Sequence, residues 1–547
     1  MSEPSNTELE RRLAEAESRI QHLERSVRFR LGSSLLEAFK NPLTAGRLIP
    51  DLWHMFNEGA RTYQWVRLQE SVECGVPNDP LRGRPLSDEL TRKKLRQFQR
   101  MARGDAVVPK ANSHLPSWVL ERLIELKKLS EEGLPPLPDM PSVRYDISSQ
   151  QPREPDTPVR VAAVLHTGLP MTSNGYAIRS DRLMGEISSE KYDVDLILRR
   201  TSSASEAEGY TILPELEVKG GEVSDYIEAY AKKLTEHFIR TRPQIIHAAS
   251  NYVSGLAAGI AAKRCGLPFV YEVRGLWEVT RMSVDPGFDQ TLGFAVQRKL
   301  ETQAAGLADR VIAISTGLRD ELARRGIARS AIEIARNGCM PQPAMDPSER
   351  KALRTSFGLD EHDIVFGFVG SVTPYEGLDR VLDVFGEHRQ GALKSAKFLV
   401  VGDGPYTEIL QQLIARKSLQ QKIILTGRLP PDQARAAYGA IDIALYPRPE
   451  SAVSRLVPPL KPLEAMASGV PTIVSDVPAI KDLVGSGEHV AFVDLGNKEE
   501  LGDVMLSLAS DAGRRTRLGR SGREWVTANR TWEHAARSVT DTYKMVL

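Results

Sequence analysis

Short apolar runs rich in Val, Ile, Phe and Ala recur from residue 159 onward, each followed by a stretch of helical period. In one half of this region they are VRVAAVLH (159–166), YDVDLILRR (192–200), PQIIHAAS (243–250), PFVYEV (268–273) and DRVIAIS (309–315). In the other they are DIVFGFVGS (363–371), AKFLVVGDGP (396–405), KIILTG (422–427), DIALYPR (442–448) and VPTIVSD (470–476). Runs that are apolar on both faces and joined by helices predict parallel sheets covered on each side. They are too many for one compact sheet. The stretch RNGCMPQPAMDPSERKAL (336–353) has the Pro and Gly of an interdomain connection. We therefore expect two doubly wound α/β domains, over 159–345 and 346–520. Such sheets take ligands at the carboxyl ends of their strands, so the cleft between the two domains is the expected site.

The pattern before residue 159 is different. Over residues 1–30, Leu9, Leu13, Ala16, Ile20, Leu23 and Val27 alternate steps of four and three, with Glu and Arg between them. That spacing makes a coiled-coil seam, and hence a homo-oligomer, or else a lone amphipathic helix laid on the protein's own surface. Residues 31–132 read as helical and partly basic. Arg25, Arg28, Arg30, Lys40 and Arg47, against Glu37, are interleaved with Phe29, Leu31, Leu35, Leu36, Phe39, Leu43 and Leu48. This pattern suits peripheral contact with an anionic membrane face, and equally a helix packed on its own catalytic domain with a solvated basic side. Residues 133–158 carry seven prolines and predict a stiff linker.

Composition changes the picture only by exclusion. A chain of 547 residues with 41% apolar content can form more than one full core, and its formal net charge of +1 gives no global attraction to nucleic acid. Cys74, Cys265 and Cys339 lack zinc-site spacing and disulfide density, which fits a reducing cytoplasm. No apolar run reaches the roughly 18 residues of a spanning helix, and MSEPSNTELERR lacks the apolar core of a signal peptide.

Candidate chemistry falls at the predicted strand ends. FGFVGSVTPYEGLDRVLDVF (366–385) is a strand, a turn through Gly370 and Ser371, and a helix with Leu378, Val381, Leu382 and Phe385 on one face. A helix start beside a buried strand favours an anion such as phosphate. VGDGP (401–405) closes the next strand with Gly402 and Gly404, glycines that let backbone approach a ligand, and GLPMTSNGYAIRSDRL (168–183) does similar work in the first domain. There Ser173 or Asn174 can cap a helix and Gly175 leaves room for a ligand. Each of these features is also an ordinary tight turn. PLKPLEAMASGVPTIVSD (459–476) places Glu464 among Leu463, Ala465 and Met466, one turn after Lys461. A carboxylate in such company needs a partner if it is buried.

GSVTPYEGLD, VGDGP and above all PLKPLEAMASGVPTIVSD resemble the C-terminal domain of the retaining nucleotide-sugar glycosyltransferases of the GT-B fold, family four (group 1). PQIIHAAS, GLPFVYEVRGLWE, ADRVIAISTGLRDELARRG and ARNGCM are similar to segments of its first domain, and RTWEHAARSVTDTY is similar to its last helix. The likeness runs from 159 to 547. It implies a nucleotide-sugar domain at 346–520, an acceptor domain at 159–345, and a helix at 521–547 crossing back to the first domain.

The family signature is a Glu pair at i and i+8 whose second member accepts hydrogen bonds from ribose hydroxyls. Glu464 falls on that second position; the first falls on Leu456. The phosphate-binding Arg and Lys of the usual GRLxxxKG turn fall on Ser371 and Glu376. A leaving diphosphate still needs cations, and Lys461, then Arg448 and Arg455, with Arg428 after KIILTG, are the expected replacements. The family's frequent histidine after GLPxV falls on Arg274. His166, His247, Glu272 and Glu278 are acceptor-side candidates, although a lone histidine at a strand end is more often structural.

The resemblance implies a cytoplasmic or membrane-peripheral retaining transferase of bacterial surface glycan or glycoconjugate synthesis. Its partners would be a nucleoside diphosphate sugar and a glycan, lipid-linked or protein acceptor. It implies no bound metal, and DVD (193–195) lies inside a strand pattern. A sugar-nucleotide-binding scaffold without activity and a GT-B sugar-nucleotide epimerase are the alternatives.

Overall fold

The computed structural model describes residues 117–134 and 157–547, apart from 170, 173, 190, 200–207, 217–222, 344, 388–390, 486 and 498. The expected coiled coil, nearly all of the basic helical region and nearly all of the proline-rich linker lie outside the described residues.

The first domain is a seven-stranded sheet: β1 (Val159–Leu165), β2 (Tyr192–Arg199), β3 (Thr211–Leu213), β4 (Ile245–Ala249), β5 (Phe269–Val273), β6 (Arg310–Ala313) and β7 (Ile332–Ile334). All neighbours are parallel and the spatial order is β3-β2-β1-β4-β5-β6-β7. The second domain holds β8 (Val365–Val369), β9 (Lys397–Val401), β10 (Ile423–Gly427), β11 (Ile443–Tyr446), β12 (Thr472–Ser475) and β13 (Ala491–Val493). Its order is β10-β9-β8-β11-β12-β13, again all parallel. β1, β4 and β5, like β8, β11 and β12, are buried along almost their whole length, as their unbroken apolar runs require. Chain direction across each sheet reverses between β1 and β4, and between β8 and β11. Those two switch points are where an open sheet leaves a crevice.

Three contacts fix how the domains sit together. The helix Trp532–Lys544 follows the second domain but buries Trp532, Val539 and Tyr543 in one cluster with Val159, Val161, Leu183 and Met184 of the first. Arg336 pairs with Asp482 at 2.7 Å, and Asp482 also accepts from the Thr316 amide and hydroxyl at 2.8 Å each. Ser315 donates to the Leu456 carbonyl at 2.6 Å, and a Cβ on Gly317 would fall 2.8 Å from the Arg455 carbonyl oxygen.

The helix Ser117–Glu132 precedes the linker, yet Leu126 and Leu129 belong to the first domain's core. Gln303 seals its end, accepting from the Leu134 amide at 2.8 Å and donating to the Leu134 carbonyl at 3.0 Å. The first domain's body thus begins before residue 159, where the sequence resemblance starts. Among the described residues, no helix is long and apolar enough to cross a membrane.

Candidate active site

At the second domain's switch point, β8 ends in Gly370 with φ +144°, where a Cβ would lie 2.1 Å from Lys461 Cε. Glycine there is what lets the lysine cross the strand end. A Cβ on Gly402 would sit 2.0 Å from the Gly370 carbonyl oxygen, and one on Gly404 2.2 Å from that of Val372. These two glycines bring backbone against backbone. The close approach that these glycines allow is made by the neighbouring turn.

Gly377, at φ +72°, ends the single turn Pro374–Glu376 and packs against the Pro447 carbonyl after β11. Glu376 is thereby delivered into the interior, 1% exposed. Its carboxylate takes Arg448 Nη2 and Lys461 Nζ at 2.7 Å each on Oε1, and Arg448 Nε at 3.2 Å on Oε2. Burial alone would raise its pKa, but the Arg448 and Lys461 cations outweigh that and hold it below 4.5. Lys461, with 15% of its side chain exposed, also donates to the Ser371 carbonyl at 3.2 Å and lies 4.5 Å from the Phe368 ring centroid. Burial lowers its pKa, and Glu376 only partly offsets this. Two cations therefore share one carboxylate, leaving a net positive charge at the strand ends.

Glu464 stands one turn along the same helix, Lys461–Ala467, and is half-buried. Its pKa is raised above 4.5 by desolvation, against the pull of Arg435, Lys461 and the Tyr438 hydroxyl, which donates to Oε2 at 3.5 Å. Tyr438 is itself bonded to Tyr446 at 3.0 Å. Among the described residues one long hydrogen bond reaches this carboxylate, which leaves most of its acceptor capacity unused.

Other sequence candidates lie elsewhere. Arg455 pairs with Glu450 at 2.9 Å, both 60% exposed, and Arg428 is exposed near Asp403. Neither joins the Glu376 cluster. Leu463 is fully buried core. Leu456 is half-buried against the first domain's core, so the position of the first family Glu serves interdomain packing.

In the first domain, Glu272 at the end of β5 is fully buried. Arg179 approaches its Oε1 at 3.0 Å through Nε, and Arg274 approaches its Oε2 at 2.6 Å. His247 Nε2 is 3.4 Å from Oε2, while its Nδ1 meets the Tyr543 hydroxyl at 2.7 Å. Burial would raise the Glu272 pKa, but Arg179 and Arg274 force it well below 4.5. Arg179 also donates to Asn337 Oδ1 at 3.0 Å and the Ala335 carbonyl at 2.9 Å, and Arg274 to the Ser180 hydroxyl at 2.5 Å and the Tyr176 carbonyl at 3.1 Å. Glu272, His247 and Arg274 are thus interior groups paired with one another, His247 Nε2 and Arg274 Nη2 lying at ion-pair distance from Glu272 without a hydrogen bond of their own. That corrects the expectation that they meet a substrate, because burying charge is tolerable only with such partners. Glu278 is buried too, 2.8 Å from Arg325.

Asn174 caps the helix Gly175–Ile187 by accepting from the Ala177 amide, and Gly175 is exposed with Leu460 of the second domain nearby. His166, just past β1, packs edge-on against Trp277 at 4.9 Å. Burial and the Arg199 cation push its pKa down to about 3, so it is neutral.

Residues 349–525 match the glycosyl transferases group 1, and residues 173–342 match Glycosyltransferase Family 4. The chain carries two glycosyltransferase domains. It is 28% identical to a 2-deoxystreptamine glucosyltransferase of Streptomyces kanamyceticus over 53% of this chain and 74% of that protein. A D-inositol 3-phosphate glycosyltransferase of Rhodococcus opacus (strain B4) is 27% identical over 54% of this chain and 66% of its own length. Among solved structures, the Anabaena protein HepE in complex with UDP and glucose aligns over 71% of this chain and all of that one, with a TM-score of 0.57 and 15% identity. A sucrose-phosphate synthase from Thermosynechococcus elongatus aligns over 71% of this chain and 98% of its own, with TM-score 0.57 and 17% identity. These two likenesses establish the fold.

Sequence reasoning missed several residues of the two glycosyltransferase domains that the structure places at strand ends. Tyr438 lies on a short 3₁₀ turn with no chemical signature, and Arg179 reads as the polar side of an amphipathic helix. Arg199 lies near the end of YDVDLILRR, which reads simply as a buried strand.

Proposed function

We propose that this glycosyltransferase moves a sugar from a nucleoside diphosphate sugar to an acceptor hydroxyl with retention of configuration, in bacterial surface glycan or glycoconjugate synthesis. The observation that carries the reading is the convergence of Lys461 and Arg448 on buried Glu376 at the β8/β11 switch point, with Glu464 one turn beyond Lys461. A diphosphate entering there would draw Lys461 away from Glu376, because an incoming anion competes for the lysine's donors. Ribose hydroxyls would donate to Glu464 and bring its pKa back down.

During transfer, negative charge grows on the leaving phosphate. Lys461 and Arg448 would stabilise it from fixed positions at little reorganisation cost. The acceptor hydroxyl would lie on the same face and pass its proton to that phosphate, so no protein nucleophile or bound metal is invoked. The first domain would hold the acceptor, in the cytoplasm or at the inner face of the plasma membrane.

The charge of Glu376 against Lys461 and Arg448, with Leu456 in place of the first family Glu, favours a second reading. In that reading the chain binds sugar nucleotides without turning them over, as a scaffold. Incubating the full chain with UDP-, GDP- and ADP-sugars and a panel of glycan, lipid-linked and peptide acceptors, and following the anomeric protons by NMR, decides between them. An α-donor giving an α-configured product supports retention and transfer. Inversion refutes retention, and saturable binding with no turnover supports the scaffold.

A further inference from the structure

Among the arginines of the described residues, Arg179, Arg274, Arg354 and Arg448 are buried and each meets a carboxylate: Glu272 for the first two, Asp442 and Glu376 for the others. Arg199 is as buried, at 8% exposed, and among the described residues it meets none. It donates through Nη1 to the Tyr226 hydroxyl, and its Nε is buried with no acceptor. A desolvated guanidinium without a counterion is costly, and an oxyanion supplied from outside would relieve that cost.

Its position says where that oxyanion would lie. Leu165 pairs with Leu198 on the last rung of β1 and β2, so His166 and Arg199 emerge side by side at the carboxyl edge of the first sheet. This is the edge that an open sheet presents to its ligand. His166 faces Trp277 and Tyr176 there, and its suppressed protonation leaves Arg199 as the positive group of the pair. The Nε–H left without an acceptor suits a phosphoryl oxygen.

We infer that Arg199 forms an anion subsite in the acceptor half, which takes a phosphoryl group carried by the acceptor. The inference rests on the reading that the first domain binds the acceptor. A free sugar phosphate and a lipid phosphate offer the same chemistry, and the test separates them.

The full chain is first titrated with UDP, GDP and ADP, and then, with the tightest of these at saturation to fill the donor site, with inorganic phosphate. In parallel its recruitment to phosphatidic acid vesicles is measured. Phosphate should still bind saturably, and Arg199→Met should weaken it by about tenfold or more with nucleotide affinity unchanged. Arg199→Lys, which keeps charge but loses the fork, should weaken it about threefold; it carries the test if the Met variant does not fold. Arg199-dependent recruitment to vesicles assigns the phosphate to a lipid, and Arg199-dependent binding of phosphate alone assigns it to a soluble acceptor. Equal phosphate affinity in the wild type and both variants, or none with the donor site full, overturns the subsite. Failure of every nucleotide to bind would instead sink the transferase reading, and the phosphate titration would still report on Arg199.

Discussion

Each domain centres on one buried carboxylate held by two cations, and the two clusters are built to different ends. Around Glu272, the arginines Arg179 and Arg274 spend their remaining donors on Ala335, Asn337, Ser180 and the Tyr176 carbonyl, and His247 and Tyr543 close the other side. That cluster ties β5, the helix Gly175–Ile187 and the crossing-back helix together. Around Glu376, Lys461 has the Ser371 carbonyl as its other acceptor and keeps 15% of its side chain exposed, while among the described residues Arg448 adds the Val457 carbonyl at 3.4 Å and the Tyr375 ring. The first cluster takes nearly all its partners from the protein's own interior and so serves stability. The second, in the function proposed here, is held together by a carboxylate that an incoming phosphate would replace.

Breaking the first cluster should have the larger effect on folding. Glu272→Ala leaves two guanidiniums buried together and should lower unfolding free energy by about 3–5 kcal/mol in a urea titration. Should it cost less than about 1 kcal/mol, the contrast between the clusters fails. Lys461→Ala should reverse the pattern: kcat falls by about 100-fold, the size expected for losing a charge-stabilising donor, while the urea midpoint moves little.

Glu464→Ala should weaken nucleoside diphosphate binding by about 1.5–3 kcal/mol, as for loss of a charged hydrogen-bond acceptor, read by calorimetry. Because its carboxylate is desolvated in the free protein, stability at neutral pH should stay level or rise. The sign with pH follows from the raised pKa of Glu464. Ligand hydroxyls favour the ionised form, so affinity should be full near neutral pH and fall on acidification at a pH above the ordinary 4.5. Glu376 behaves oppositely, since its depressed pKa keeps its stabilising contribution until the pH drops below 4.5. Glu376→Gln, the smallest change, should tighten diphosphate binding by about threefold, because Lys461 and Arg448 then face less competing charge.

Much of this was legible in the sequence. Unbroken apolar runs such as FVYEV and VFGFV announced buried parallel strands, and PLKPLEAMA marked the helix that carries Lys461 and Glu464. What escaped reading depends on which partner a charge finds, and strand spacing does not encode that. Glu272 and Arg274 looked like cleft residues because they sit at a strand end. Their partner Arg179 comes from a helix 93 positions earlier in the chain. Gly402 and Gly404 looked like ligand space because close backbone approach requires glycine whether the other backbone belongs to a ligand or to the next turn. Leu456 reads as a lost catalytic contact in isolation and as interdomain packing once Ser315 and Gly317 are beside it.

A crystal structure of the full chain with the nucleoside diphosphate that binds it most tightly tests the central claim directly. We predict both ribose hydroxyls within hydrogen-bond reach of the Glu464 carboxylate and Lys461 Nζ turned from Glu376 Oε1 to a phosphate oxygen. A nucleotide bound elsewhere, with Lys461 still on Glu376, would contradict it.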